Sequence, residues 1–290
     1  MRALSLLVLV FPIASVACSA NVAGSPEAAD AEASSSSAIV VVERTTSSAD
    51  ARASAVARFV RMRAGAVDDD ALRMVGATVE FPAMGSCASL AVKSSANPRA
   101  AELVDVGLIS LEASGIRTSL QPRRLPDVVD LISGVVYATQ ASDADALPAE
   151  SSYVLRVAGG SGAGEQAVAP FMVTAVAPPE PLDVRVLGQD ARNAVTVPGG
   201  VAVDLSWDVR DPSVATDDIV YVDVAGSAPS ALAARCLFPD TGAATLPAAL
   251  FEPEGTLTLH RLHHEPFHVK GVAAGDIRFD FARTVSFTRR

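Results

Sequence analysis

From position 201 to 209 every odd-numbered residue is apolar: Val201, Val203, Leu205, Trp207 and Val209. The even positions, Ala202, Asp204, Ser206 and Asp208, are small, polar or charged. A period of two belongs to an extended chain with one dry face and one wet face. The stretch 276–287 repeats it. Ile277, Phe279, Phe281, Val285 and Phe287 share one parity, Asp276, Arg278 and Asp280 share the other, and Arg283 is the one offender. Tyr153, Leu155 and Val157 alternate in the same way with Ser152 and Arg156. Such a chain folds by burying sheet faces against one another.

Further strands are predicted at 39–43, 57–63, 77–81, 106–112, 135–139, 168–176, 182–187, 219–224 and 255–262, with Gly, Pro, Asp and Ser clusters between them. Short strands at this spacing point to sandwiches and away from βαβ units. Half of the chain is hydrophobic, mostly through Ala and Val, and a Val-rich chain with many Gly and Pro punctuators leans towards β structure. Helical signals are minor: Asp68, Asp69 and Asp70 could cap a turn at 71–74, and Pro126 could start another at 126–131. The run Gly159, Gly160, Ser161, Gly162, Ala163, Gly164 follows a strand but opens no helix, so it reads as a hairpin loop and not a phosphate cradle. The predicted class is all-β.

Pro178, Pro179 and Pro181 form an extended spacer. It separates two expected β-sandwich domains, residues 38–177 and 178–290. The second holds roughly seven strands and Trp207 on a central one, and it resembles an immunoglobulin-like or fibronectin type III-like domain.

Ahead of these bodies, Arg2 precedes an apolar run from Ala3 to Ile13, then Ala14, Ser15, Val16, Ala17 and Cys18. The run is too short for a bilayer span of ~20 residues, and Pro12 interrupts it. Residues 1–17 therefore read as a signal peptide. Ser15-Val16-Ala17-Cys18 resembles the lipobox of bacterial lipoproteins, with Ser15 where that family usually has a large aliphatic. The resemblance implies lipidation of Cys18, which would become the new N-terminus. Because Ser19 is not aspartate, it also implies the outer membrane. Ordinary cleavage after Ala20, giving a secreted or periplasmic protein, is the alternative. Residues 18–37 are almost wholly Ser, Ala, Gly, Glu, Asp and Pro and read as a disordered tether, and 44–54 as a second loose stretch.

The formal charge is −10, which repels phosphate backbones and argues against nucleic-acid partners. With Cys18 lipidated, Cys87 and Cys236 are the remaining thiols. In an oxidising compartment they could form one disulfide, and otherwise they are two buried, reduced cysteines.

Two groups could carry chemistry. All four histidines lie within nine residues: His260, His263, His264 and His268, with Glu265 among them. They could hold a transition metal such as Zn2+. In an extended strand, however, His260 and His264 are ~13 Å apart, and only a sharp bend near Pro266 would gather His263, His264 and His268. The second group, Asp211, Asp217 and Asp218 beside Asp208, could offer Ca2+ hard oxygen ligands, although loop aspartates usually serve turns and solubility. No nucleophile–base–acid set can be assembled. The expected function is a non-enzymatic envelope lipoprotein, anchored in a membrane by lipid, that recognises a protein or carbohydrate ligand or plays a structural part. The alternative is a metal-dependent enzyme or metal-binding protein using residues 260–268.

Overall fold

In a computed structural model of the chain, the described residues are 36–62, 67, 72–73, 75–90, 101–128, 132–140, 142–160, 167–209, 218–227 and 233–290. The protein is all-β: 61% of it is strand, no helix among the described residues reaches seven residues, and the sheets pack as a sandwich without closing into a barrel. Among the described residues no helix is long and apolar enough to cross a membrane.

The first ten strands are β1 (Ser36–Thr46), β2 (Ala51–Met62), β3 (Cys87–Ser89), β4 (Ala101–Leu103), β5 (Ile109–Ala113), β6 (Ile116–Val128), β7 (Ile132–Ala138), β8 (Ser142–Asp143), β9 (Ser152–Val157) and β10 (Phe171–Val176). Then come β11 (Arg185–Val186), β12 (Gln189–Asp190), β13 (Val195–Val197), β14 (Val203–Ser206), β15 (Ile219–Gly226), β16 (Ala233–Pro239), β17 (Ala243–Leu246), β18 (Glu254–Val269) and β19 (Val272–Arg289).

One long sheet runs in the order β10-β9-β5-β6-β7-β4-β2-β1-β19-β18-β15-β16-β3. β6 turns the sheet over on itself. Its first part, up to Leu120, pairs with β5, and the part from Gln121 pairs with β7. The strands β5, β9 and β10 thereby lie back over the central strands. A small second sheet, β12-β11-β14-β17, covers the other end.

The hairpin β18–β19 carries both halves of the molecule. Ile277, Phe279, Phe281 and Phe267 pack in one core with Ala38, Val40, Phe59, Leu111 and Tyr153. Val285, Phe287, Leu257 and Leu259 pack in the second with Leu205, Trp207, Val222 and Phe238. The odd positions of both strands thus share one inner face, as the alternation requires. These are the two largest cores among the described residues, and β1 pairs in parallel with β19 along Ser37–Thr46, so strands from both sides of the spacer at 178–181 share a sheet. The physical reason is length. At ~3.3 Å per residue, an 18-residue strand is long enough to serve two cores.

Local differences have local causes. Ser36 and Ser37 belong to β1, and Ser36 is buried. The stretch 44–54 is the tip of the β1–β2 hairpin, with only 47–50 outside the strands. Residues 126–128 continue β6, while 129–131 lie outside the described residues. Residues 77–81 are irregular because side chains bind their carbonyls: Arg278 donates to Ala77 at 2.7 Å and Arg235 to Glu80 at 3.3 Å. Of the strands with no expected counterpart, β6 and β16 are the longest. In β6, Pro122 and Pro126 obscure the pattern, and pairing with two different neighbours makes the strand.

Candidate functional site

Because β18 is extended through Pro266, successive side chains leave it on opposite faces. His260 and His264 sit on the outer face, and Arg261 and His263 sit on the inner face between the two cores. The bend that would gather His263, His264 and His268 does not occur, since pairing with β19 continues to Pro266↔Asp276. Each imidazole instead has its own partner. Nδ1 of His260 bonds Asp280 at 2.8 Å, that of His264 bonds Asp276 at 2.9 Å, and that of His268 bonds the Ala273 carbonyl at 3.0 Å. Among the described residues no group of three or more His, Cys, Asp or Glu side chains is arranged to hold a metal ion. Of the loop carboxylates, Asp211 and Asp217 lie outside the described residues. Asp218 meets His263 and thereby joins the two predicted groups.

The outer face is a ladder of ion pairs and rings. Tyr221 on β15 donates to Asp280 and stacks on His260 with ring centroids 4.1 Å apart. Arg235 on β16 forms a bidentate pair with Asp223, both bonds 2.7 Å, while its guanidinium lies 4.7 Å from the Tyr221 ring centre. Burial, then the Asp280 charge, pushes the Tyr221 phenol far above its ordinary range. Burial would raise the Asp276 carboxyl, but hydrogen bonds from His264 and Arg278 outweigh it and hold the group low. A strap, residues 75–90, crosses this face. It is held by Arg278 and Arg235, by Phe81 against Tyr221 (5.3 Å between centroids), and by a disulfide between Cys87 and Cys236. The two cysteines face each other in the β3–β16 ladder.

On the inner face, Arg261 is 1% exposed and uses all five of its N–H groups. Nε donates to Asp240 at 2.8 Å, Nη1 to the carbonyls of Pro179 and Glu180 at 3.3 and 3.2 Å, and Nη2 to the Asp208 carbonyl at 2.5 Å and to Asp240 at 3.3 Å. Asp240 also accepts from Trp207 Nε1 at 2.6 Å. The Glu180 carboxylate pairs with Arg44 on β1. The spacer is therefore tied to both cores. Beside it opens a cleft of about 440 Å³, lined in part by Glu150, Val176, Leu182, Asp208 and Val209. Periodicity missed Arg261 because a buried arginine on an apolar parity looks like a defect until its partners, 21 to 82 residues away, are known.

His263 is the one histidine bonded at both nitrogens, to Asp218 at 2.5 Å and to Glu265 at 3.3 Å. The Asp218 hydrogen bond, opposed by burial and aided by Glu265, raises its pKa above the ordinary 6.5. The folded state therefore binds a proton more tightly than the unfolded chain does. The stabilisation is complete below the unfolded value and is lost as pH rises through the raised folded value. Urea titrations at successive pH values from about 6 upward should show unfolding free energy falling, and His263→Gln should flatten that slope. An unchanged slope in His263→Gln would show that the imidazole is not the group responsible.

The sequence matches no protein-family model, and no curated protein matches it.

Proposed function

We propose that this is an exported envelope lipoprotein, anchored through Cys18, that works by binding or by supporting structure and not by catalysis. The observation that carries the reading is the Cys87–Cys236 disulfide, which closes 149 residues and persists in oxidising compartments. The lipobox-like Ser15-Val16-Ala17-Cys18 and the Ser/Ala-rich stretch ahead of β1 support the same address. The engagement of each described imidazole by a carboxylate or carbonyl supports a structural use for the histidines. Cys18 lies outside the described residues.

Mass spectrometry of the mature N-terminus from membrane fractions tests it. The expected species begins at Cys18 and carries acyl chains. An unmodified N-terminus beyond Cys18 would overturn the anchor.

A further inference from the structure

β10 ends the long sheet and pairs with β9 and with no other strand among the described residues. The Ala177 amide donates to the Ser151 carbonyl at 2.9 Å, which sets the phase of the β9–β10 ladder. Bonded positions alternate in an antiparallel pair, so the amides and carbonyls of Met172, Thr174 and Val176 point away from β9. The Val176 amide meets the Glu265 carboxylate at 3.4 Å, while those of Met172 and Thr174 face outward. Natural edges are usually blunted by Lys, Pro or a bulge. The segment Phe171-Met172-Val173-Thr174-Ala175-Val176 has no charge, no proline and no register shift, and Met172 and Val176 are 58% and 47% exposed.

This edge runs into the cleft at the spacer. Val176 is part of the cleft wall together with Leu182 and Val209, which are 55% and 42% exposed. The charges in the cleft do not balance. Arg261 is engaged by Asp240 and three carbonyls, and Glu180 by Arg44. The exposed carboxylates of Glu150 and Asp208 have no cation among the described residues.

We propose that the β10 edge and this cleft form the docking site for an extended segment of a partner protein. The segment adds as a strand to β10 and lodges a lysine or arginine side chain in the cleft. Main-chain bonds to Met172 and Thr174 supply affinity, and the cleft supplies specificity. The aliphatic stem of the basic residue lies on Val176, Leu182 and Val209 while its head reaches Glu150 and Asp208. A second copy of this chain is the poorer occupant because its formal charge of −10 opposes approach to an acidic cleft. The inference rests on the binding role proposed above but not on the anchor, so the N-terminal mass and the titration below fail independently.

The probes are two end-blocked, fluorescein-labelled peptides, Lys-Val-Thr-Val-Thr-Val and Val-Thr-Val-Thr-Val-Lys, one for each placement of the cation along the edge. They are titrated by fluorescence anisotropy against the full chain. At least one should bind. Replacing its lysine by norleucine, or combining Glu150→Gln with Asp208→Asn in the protein, should weaken binding about tenfold or more. Met172→Lys, a charge on an exposed edge position, should abolish binding while leaving the thermal melt unchanged. Thr174→Pro, which removes an outward amide, should do the same to binding. Three results would overturn the proposal: neither peptide binds, binding ignores these substitutions, or the protein alone self-associates through this edge and Met172→Lys abolishes that association.

Discussion

Arg261→Ala is expected to destabilise the protein by ~3–5 kcal/mol, because it leaves a buried carboxylate and three carbonyls without their donor. Asp240 is only 6% exposed and would keep Trp207 Nε1 as its one remaining hydrogen-bond donor. The spacer would lose both of its ties to β18, at Pro179 and Glu180, and keep the Glu180–Arg44 pair. Urea unfolding followed by Trp207 fluorescence measures the loss, since the indole reports directly on Asp240. Arg261→Lys should recover only part of it, because an ammonium has three donors and no planar fork to span four acceptor groups. The double variant Arg261→Ala with Asp240→Asn should be less destabilised than the sum of the singles by roughly 1–3 kcal/mol, since the orphaned charge is gone. A cost below about 1 kcal/mol for Arg261→Ala would mean that water replaces the guanidinium and that the spacer is not held from β18.

The second large effect belongs to the disulfide. Replacing Cys87 and Cys236 together by serine is expected to lower stability by about 3–5 kcal/mol, since the bond closes a long loop in the unfolded chain. The loss should be uneven across the molecule. The strap is bonded to β16 by the Gly85 amide on the Leu237 carbonyl (2.8 Å), the Leu237 amide on the Ser86 carbonyl (3.0 Å) and the Leu90 amide on the Ala233 carbonyl (2.9 Å). Without the covalent tie these short contacts open locally, so hydrogen exchange at the three amides should accelerate more than at the centre of β19. Uniform acceleration across β16, β18 and β19 would show instead that the strap unfolds only with the whole sheet.

The histidine band shows what the sequence could and could not disclose. An extended strand through 255–262 was readable from Leu257, Leu259 and their neighbours, and with it the separation of His260 from His264. The carboxylates that meet His260, His263 and His264 were not readable, because Asp280, Asp218 and Asp276 are brought to β18 by strand pairing and carry no local signature of it. Cys87 and Cys236 gave two equal readings for the same reason. Sulfur chemistry allows either state, and only the β3–β16 register places the pair face to face.

Local patterning was enough to set the class of fold and the faces of its main strands. Alternation is a property of the backbone period, so Ile277, Phe279 and Phe281 had to turn together towards a core wherever that core lay. Tertiary structure alone decided that β18 and β19 serve two cores, that β1 joins β19 across more than two hundred residues, and that Arg261 locks the spacer between them. Those are long-range pairings. Their energy comes from groups brought together only on folding, so no window of neighbouring residues contains them.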